Sequence, residues 1–104
     1  MPELKLPSIS NTEHLVLDLL QASEKFGLEL VADSQGALKR GSVYVTLGRM
    51  ERKGFVESRQ EKRPHGAIGL PRRLYKITPY GQKVFEAYQL LREALALRPS
   101  EARG

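Results

Sequence analysis

The fold is decided by residues 38–58, LKRGSVYVTLGRMERKGFVES, where a helical pattern ends at a glycine and a strand-like segment follows. Apolar residues recur in this stretch at spacings of four and three: Val43, Leu47 and Met50. The pattern predicts a helix over residues 40–53, ended by Gly54 in the position that glycine favours after a helix. Residues 55–61 include aromatic and β-branched side chains, so we expect a strand there.

Two shorter helices are predicted before this stretch. Ser10 precedes Glu13 by three residues, which is the spacing of a capping box, and residues 15–20 then carry apolar side chains at helical spacing. Gly27 separates this first helix from a second one over residues 28–34. The first helix has a broad apolar face, which indicates burial on more than one side.

A hairpin and a long helix are predicted after it. Residues 62–71 are rich in proline and glycine and must form a loop, and residues 72–77 form the returning strand. Thr78 followed by Pro79 is typical of a helix start, and the helix should continue to about residue 97. The order of three helices, strand, loop, strand and helix predicts a mainly α, α+β fold, the winged helix-turn-helix with a long C-terminal helix.

The predicted organisation is a winged-helix domain at residues 1–78, a C-terminal dimerisation helix at 79–98 and a disordered tail at 99–104. Apolar residues of the long helix follow a pattern close to a heptad: Tyr80, Val84, Tyr88, Leu91 and Leu95. So small a core cannot cover a helix of this length, so a second copy of the chain is the expected partner. Leu15 and Leu19 of the first helix join the predicted dimer interface.

Basic residues are concentrated in one part of the chain. The whole sequence carries a net charge of +5, but residues 39–76 hold 11 basic and 3 acidic side chains and the remainder is net negative. Clustered cations favour a polyanion, because a phosphate backbone releases counterions when they bind. A solvated basic surface is the alternative interpretation.

The third helix has an outward face suited to a DNA major groove. Its predicted members combine hydroxyl, cationic and small apolar groups, the types that contact base edges, thymine methyls and phosphates: Ser42, Val45, Thr46, Arg49 and Lys53. Lys39 and Arg40, at the start of the helix, are further predicted DNA contacts. Glycine is unfavourable in the interior of a helix, so the presence of Gly48 indicates that something approaches closely there. An ordinary amphipathic surface helix is the alternative.

The loop after the first strand is the predicted wing, and it is basic. Its expected contacts are with phosphates or the minor groove: Lys62, Arg63, His65, Arg72 and Arg73. The alternative is an exposed loop that charge keeps soluble.

Several motifs together resemble the PadR family of transcriptional regulators. They are LKRGSVY at 38–44, KGFVES at 53–58, GLPRRLY at 69–75, ITPYG at 77–81 and FGLEL at 26–30. With the segment from Thr12 to Leu20, the resemblance covers nearly the whole chain. The single C-terminal helix is similar to that of the short family members.

The resemblance implies a bacterial or archaeal repressor that binds a palindromic operator as a homodimer. It gives the third helix the reading role, places Tyr44 near the DNA backbone, and assigns residues 62–73 to the wing and the fourth helix to dimerisation. It also implies release by a small hydrophobic or aromatic effector bound between the two halves of the dimer. The residues expected to line that effector pocket are Leu15, Leu19, Tyr88 and Leu91.

Other classes of function have little support in the sequence. The chain has no cysteine and two histidines, which make a poor metal set, and Ser42 has no positioned base nearby, so we expect no metal, no cofactor and no enzymatic activity. Residues 1–8 lack the apolar core of a secretion signal and no apolar run could span a bilayer, so a cytoplasmic, nucleoid-associated protein is expected. The alternative function is a winged-helix module that binds another protein without reading DNA.

Overall fold

The structure, a computed structural model, describes residues 6–66, 68–69 and 71–96. Within these residues it has four helices and one three-stranded sheet. In chain order they are α1 (Asn11–Leu19), β1 (Lys25–Phe26), α2 (Gly27–Asp33), α3 (Val43–Arg52), β2 (Val56–Gln60), β3 (Arg73–Ile77) and α4 (Pro79–Ala96). The predicted winged-helix order and the long C-terminal helix are confirmed. The predicted tail at 99–104 lies outside the described residues.

Local capping signals set the helix boundaries. The Ser10 hydroxyl accepts from the Glu13 N–H at 3.1 Å and the Glu13 carboxylate accepts from the Ser10 N–H at 2.9 Å, so the predicted capping box is confirmed. Gly54, with φ +81, follows the end of α3 as predicted. The helix begins at Val43, three residues later than predicted, because residues 40–42 form a turn.

The sheet contains a strand that the sequence did not predict. Its order is β1-β3-β2 and both pairs are antiparallel. Lys25 and Ser58 lie opposite Tyr75 from its two sides, so β3 is the central strand. The two residues of β1 are too few for an alternating pattern to show. They join the start of α2 to the returning strand of the wing.

The core lies between the helices and one face of the sheet. Its buried apolar members are Val16, Leu17, Leu20, Leu30, Leu38, Val43, Leu47, Met50, Phe55, Val56, Tyr75, Val84 and Phe85. None of the helices in the described residues is both long and apolar enough to cross a membrane.

The first half of α4 belongs to this core. The prediction that Val84 faces a partner chain is wrong, because the residue is 4% exposed and packs inside its own chain. The Tyr88 hydroxyl donates to the Pro7 carbonyl at 2.7 Å, which fixes that half-buried side chain within the chain too. Farther along, Leu91 and Leu95 are exposed. Two central members of the heptad-like pattern, Val84 and Tyr88, therefore pack within the chain, whereas Tyr80, Leu91 and Leu95 are exposed.

Gly81 is where α4 meets the segment between α3 and β2. A Cβ atom on Gly81 would lie 2.1 Å from the carbonyl oxygen of Phe55, so only glycine fits. The Thr78 hydroxyl donates to the Gly54 carbonyl at 2.6 Å and accepts from the Gly81 N–H at 2.9 Å, which confirms the predicted helix start. These contacts hold the end of α3, the sheet and α4 at one junction.

Candidate nucleic-acid interface

Helix α3 has two opposite faces with the same spacing. Its buried residues form an inner stripe: Val43, Thr46, Leu47 and Met50. On the opposite side lies an outer stripe: Val45, Gly48, Arg49 and Arg52. Both follow the i, i+3, i+4, i+7 pattern of a helix face. Val45 is 61% exposed, so a branched apolar side chain faces solvent on the same side of the helix as the two arginines.

The predicted outward position of Thr46 is wrong. The residue is 8% exposed and lies in the inner stripe, because it falls three residues after Val43 and four before Met50. The prediction placed Thr46 on the outer side because its hydroxyl is polar, although its spacing from Val43 and Met50 indicates the inner side. The spacing alone was the signal that could have placed it correctly.

The predicted outward position of Lys53 is also wrong. Its ammonium donates to both carboxylate oxygens of Glu13 at 2.9 Å and to the Ser8 carbonyl at 3.1 Å. Burial alone would raise the pKa of Glu13, but hydrogen bonds from Ser10 and Lys53 outweigh it and hold that pKa below its ordinary value. Lys53 therefore closes the end of α3 against α1 rather than pointing outward.

The other predicted contacts, on this helix and just before it, are exposed, as a DNA contact requires. They are Lys39, Arg40, Ser42, Tyr44, Val45 and Arg49. Arg52 is exposed as well and is a member of the outer stripe. At Gly48 a Cβ atom would lie 3.6 Å from Arg52 Nη1, an ordinary van der Waals distance. The chain itself therefore does not require glycine at this point of the outer stripe.

Tyr44 lies at the junction of α3 with α2. Its ring covers the first residue of α2 so closely that a Cβ atom on Gly27 would come within 2.6 Å of Tyr44 Cε1. Beside it is an open pocket of about 330 Å³, whose walls also include Phe26, Arg72 and Tyr75. The start of α3 and the returning strand of the wing therefore adjoin.

Three arginines of the wing (residues 62–73) make hydrogen bonds within the chain. Arg63 donates to the carbonyls of Gly69, at 2.9 Å, and Ile68. Arg72 is paired twice with Glu61, at 2.8 and 3.1 Å, and its guanidinium lies 3.9 Å from the centre of the Phe26 ring. The pairing with Arg72 lowers the pKa of Glu61.

These hydrogen bonds help to hold the hairpin of the wing together. The third arginine, Arg73, donates to the Ser58 hydroxyl at 3.1 Å, and Ser58 in turn donates to Glu51 of α3 at 3.0 Å. Lys62 and His65 are exposed. Three of the five predicted wing contacts therefore also hold the hairpin together, and all five except the half-buried Arg63 are exposed.

The remaining predicted interface residues lie along α1 and α4. Leu15 and Leu19 are half-buried, whereas Tyr80, Leu91 and Leu95 are exposed. His14 joins the two helices, because its ring stacks on Phe85 at 5.1 Å and its Nε2 lies 3.0 Å from Gln89 Oε1. Burial and the charge of Arg92 lower the pKa of His14. Among the described residues, no group of His, Cys, Asp or Glu could hold a metal ion.

Comparison with known proteins identifies the family. The sequence model of the transcriptional regulator PadR-like family matches residues 16–87, which is most of the chain and includes both α3 and the wing. The chain belongs to this family. A PadR-like protein is a member of a family of transcriptional regulators, which agrees with the expectation that it is not an enzyme. Among curated proteins, no sequence match was found.

Solved structures share the fold of this PadR-like protein. A PadR family transcription regulator from Clostridium difficile R20291 superposes with a TM-score of 0.73 at 22% identity, over 88% of this chain and 96% of the other. A PadR family regulator from Eggerthella lenta gives 0.67 at 24%, over 80% and 72%. PadR from Bacillus subtilis, solved in complex with operator DNA, gives 0.67 at 18%, over 76% and 46%.

Proposed function

We propose that this PadR-like protein is a sequence-specific regulator of transcription that binds double-stranded DNA as a homodimer and acts as a repressor. The observation that carries the proposal is the outer stripe of α3, which presents Val45, Arg49 and Arg52 to solvent directly opposite the buried inner stripe. A helix held by one face and exposing arginines on the other is suited to a major groove. The operator complex of Bacillus subtilis PadR supports the same use of this fold.

Some of the exposed residues are proposed to contact bases and others to contact phosphates. Arg49 is suited to a bidentate contact with guanine, and Val45 to a thymine methyl. Phosphate contacts are assigned to exposed groups on either side of the helix: Lys39, Arg40, Ser42, Tyr44, Lys62 and His65. Base contacts then specify the sequence and phosphate contacts position the protein.

The second half of α4 supports the homodimer. Leu90, Leu91 and Leu95 are 68%, 41% and 54% exposed on a single helix that has left its own core. Exposed apolar side chains in such a cluster are typical of an interface. Asp at Leu91 should split the dimer, and light scattering at micromolar concentration should then give the mass of one chain. A wild-type protein that is monomeric in the same measurement would exclude the dimer.

A small hydrophobic or aromatic effector and a cytoplasmic, nucleoid-associated location complete the proposal. The half-buried Leu15, Leu19 and Tyr88, beside the exposed Leu91, are the expected lining of the effector site in the assembled dimer. Aromatic acids and hydrophobic cationic drugs should raise the melting temperature of the dimer if this site exists. An unchanged melting temperature with every compound would remove the effector from the proposal.

Selection of bound duplexes from a random pool tests the central claim. We expect a palindrome whose half-sites are about one helical turn apart, because a two-fold dimer places two α3 helices in successive major grooves. Affinity for the selected duplex should fall steeply with salt and exceed that for random duplex. Recovery of no preferred sequence, together with a stoichiometric protein partner from a pull-down, would instead support the interaction module.

A further inference from the structure

The ammonium of Lys53 has all three of its N–H groups matched by acceptors within the chain. Both oxygens of Glu13 lie 2.9 Å from it and the carbonyl oxygen of Ser8 lies 3.1 Å from it. Lysine has three donors and no acceptor, so this set uses its full hydrogen-bonding capacity. The same ammonium lies 5.6 Å from the centre of the Phe55 ring. A phosphate contact would require Lys53 to leave these partners.

Glu13 also makes its hydrogen bonds within the chain. Its side chain is 1% exposed, and the same carboxylate accepts the Ser10 N–H that starts α1. Lys53 is the residue that ends α3. The pair therefore joins the first turn of one helix to the end of another, between residues 40 positions apart. Apolar packing of the inner stripe is not directional, whereas this set of hydrogen bonds has a defined geometry.

We propose that Glu13 and Lys53 are positioning residues for DNA recognition, which set the placement of the outer stripe of α3 without touching DNA. This inference rests on the proposed function and goes beyond it, because it assigns a buried acid a role in reading DNA. Lys53 acts through Glu13, and the end of α3 is held where Arg49 and Arg52 meet the groove.

Neutralising Glu13 should change the affinity for DNA in opposite directions depending on whether the residue acts through its charge or by positioning α3. Glu13→Gln makes the protein more positive, and long-range electrostatics would then strengthen binding to every duplex. Loss of the positioning contact would instead weaken binding to the operator and leave binding to random duplex nearly unchanged. The sign of the change in operator affinity therefore separates the two.

The experiment compares Glu13→Gln, Lys53→Met and the double variant by titration of the selected operator and of random duplex at several salt concentrations. The exposed Glu57–Lys76 pair, joined at 3.3 Å, supplies matched controls, Glu57→Gln and Lys76→Met. Each single change at Glu13 or Lys53 should lower operator affinity about tenfold, and the double variant should be no weaker than the weaker single variant. Each control variant should change the ratio of operator affinity to random-duplex affinity by less than about twofold relative to the wild type.

The salt dependence distinguishes positioning from phosphate contact. Lys53→Met should leave the slope of log affinity against log salt as in the wild type, whereas Lys62→Met should reduce it by about one. The double variant leaves no unpaired buried charge, so it keeps the test valid if a single variant unfolds, and its circular dichroism melt is recorded first. A double variant that binds operator like the wild type, a tighter Glu13→Gln variant or a reduced slope for Lys53→Met would overturn this inference alone. A wild type without sequence preference would overturn the proposed function with it.

Discussion

Helix α3 and the wing are both basic in sequence, but the structure uses their cations in different ways. On α3 the arginines of the outer stripe are exposed and the inward lysine, Lys53, ends the helix against α1. In the wing, Arg63 and Arg72 bond to the carbonyls and the acid of their own hairpin. A count of positive charge therefore overstates the number of cationic side chains available to a partner, because several already bond within the chain.

The largest effect on stability is expected at Gly81, where α4 meets the segment between α3 and the sheet. Gly81→Ala should destabilise the fold by more than about 3 kcal/mol, because the new methyl group meets the Phe55 backbone between α3 and β2. Urea unfolding measures the change. Gly41→Ala is the control, since a Cβ atom there meets nothing within 4 Å. A fully stable Gly81→Ala protein would mean that α3 and the wing do not depend on this junction.

Arginines of the two regions should differ in what they contribute to binding. Arg49→Ala should reduce discrimination for the operator by about 1–3 kcal/mol, the range of a bidentate base contact. Arg63→Ala should weaken binding to operator and random duplex alike, because it loosens the loop that we propose contacts phosphates. Competition titrations with both duplexes measure the two patterns. If Arg63→Ala lost discrimination and Arg49→Ala did not, the roles of helix and wing would have to be exchanged.

Gly48→Ala should separate stability from recognition within α3. Alanine is favoured over glycine in a helix by about 1 kcal/mol, and the neighbouring Arg52 Nη1 leaves room for the methyl group. We expect a more stable protein in denaturant that binds operator less tightly, because in the proposed complex the methyl group would lie between the helix and the base pairs. An unchanged operator affinity would indicate that DNA does not approach the helix at this position.

The smallest effect is a difference in acid sensitivity between the two ion pairs. Glu13 and Glu61 both have a pKa below the ordinary value, through Ser10 and Lys53 in the first case and Arg72 in the second. A lowered pKa in the folded state contributes stability above pH 4.5, and that stability is lost as the pH falls through the lowered pKa.

Unfolding free energy measured between pH 6 and pH 3 checks this difference. Glu13→Gln should flatten the fall more than Glu61→Gln, because Glu13 is buried whereas Glu61 is partly exposed and pairs with the exposed Arg72, where solvent and salt screen the pair. Equal flattening by both variants would contradict the distinction.

Local signals predicted most of the fold, and contacts distant in sequence account for the errors. Ser10 and Thr78 cap their helices through hydrogen bonds from N–H groups three residues later, and Gly54 comes just after the end of α3, so the sequence predicted these boundaries. The strand β1 forms only because β3 lies beside it, almost 50 residues later.

The site was predicted in outline and wrong in particular residues, for one local reason and two that depend on tertiary structure. Thr46 follows a spacing that its polarity concealed, and Lys53 has a partner 40 residues away. Val84 follows a pattern that is the same whether a helix packs on its own core or on a second chain. Which of these applies depends on the tertiary structure.

The separation of the two stripes of α3 also makes the protein an accessible scaffold for redesign. Val45, Gly48, Arg49 and Arg52 face solvent, so a library randomised at these four codons would vary operator choice while the inner stripe keeps the domain folded. Thr46 and Lys53, which resemble recognition residues in the sequence, belong to the constant part of such a library. New specificities would then be selected among variants that share the same buried core.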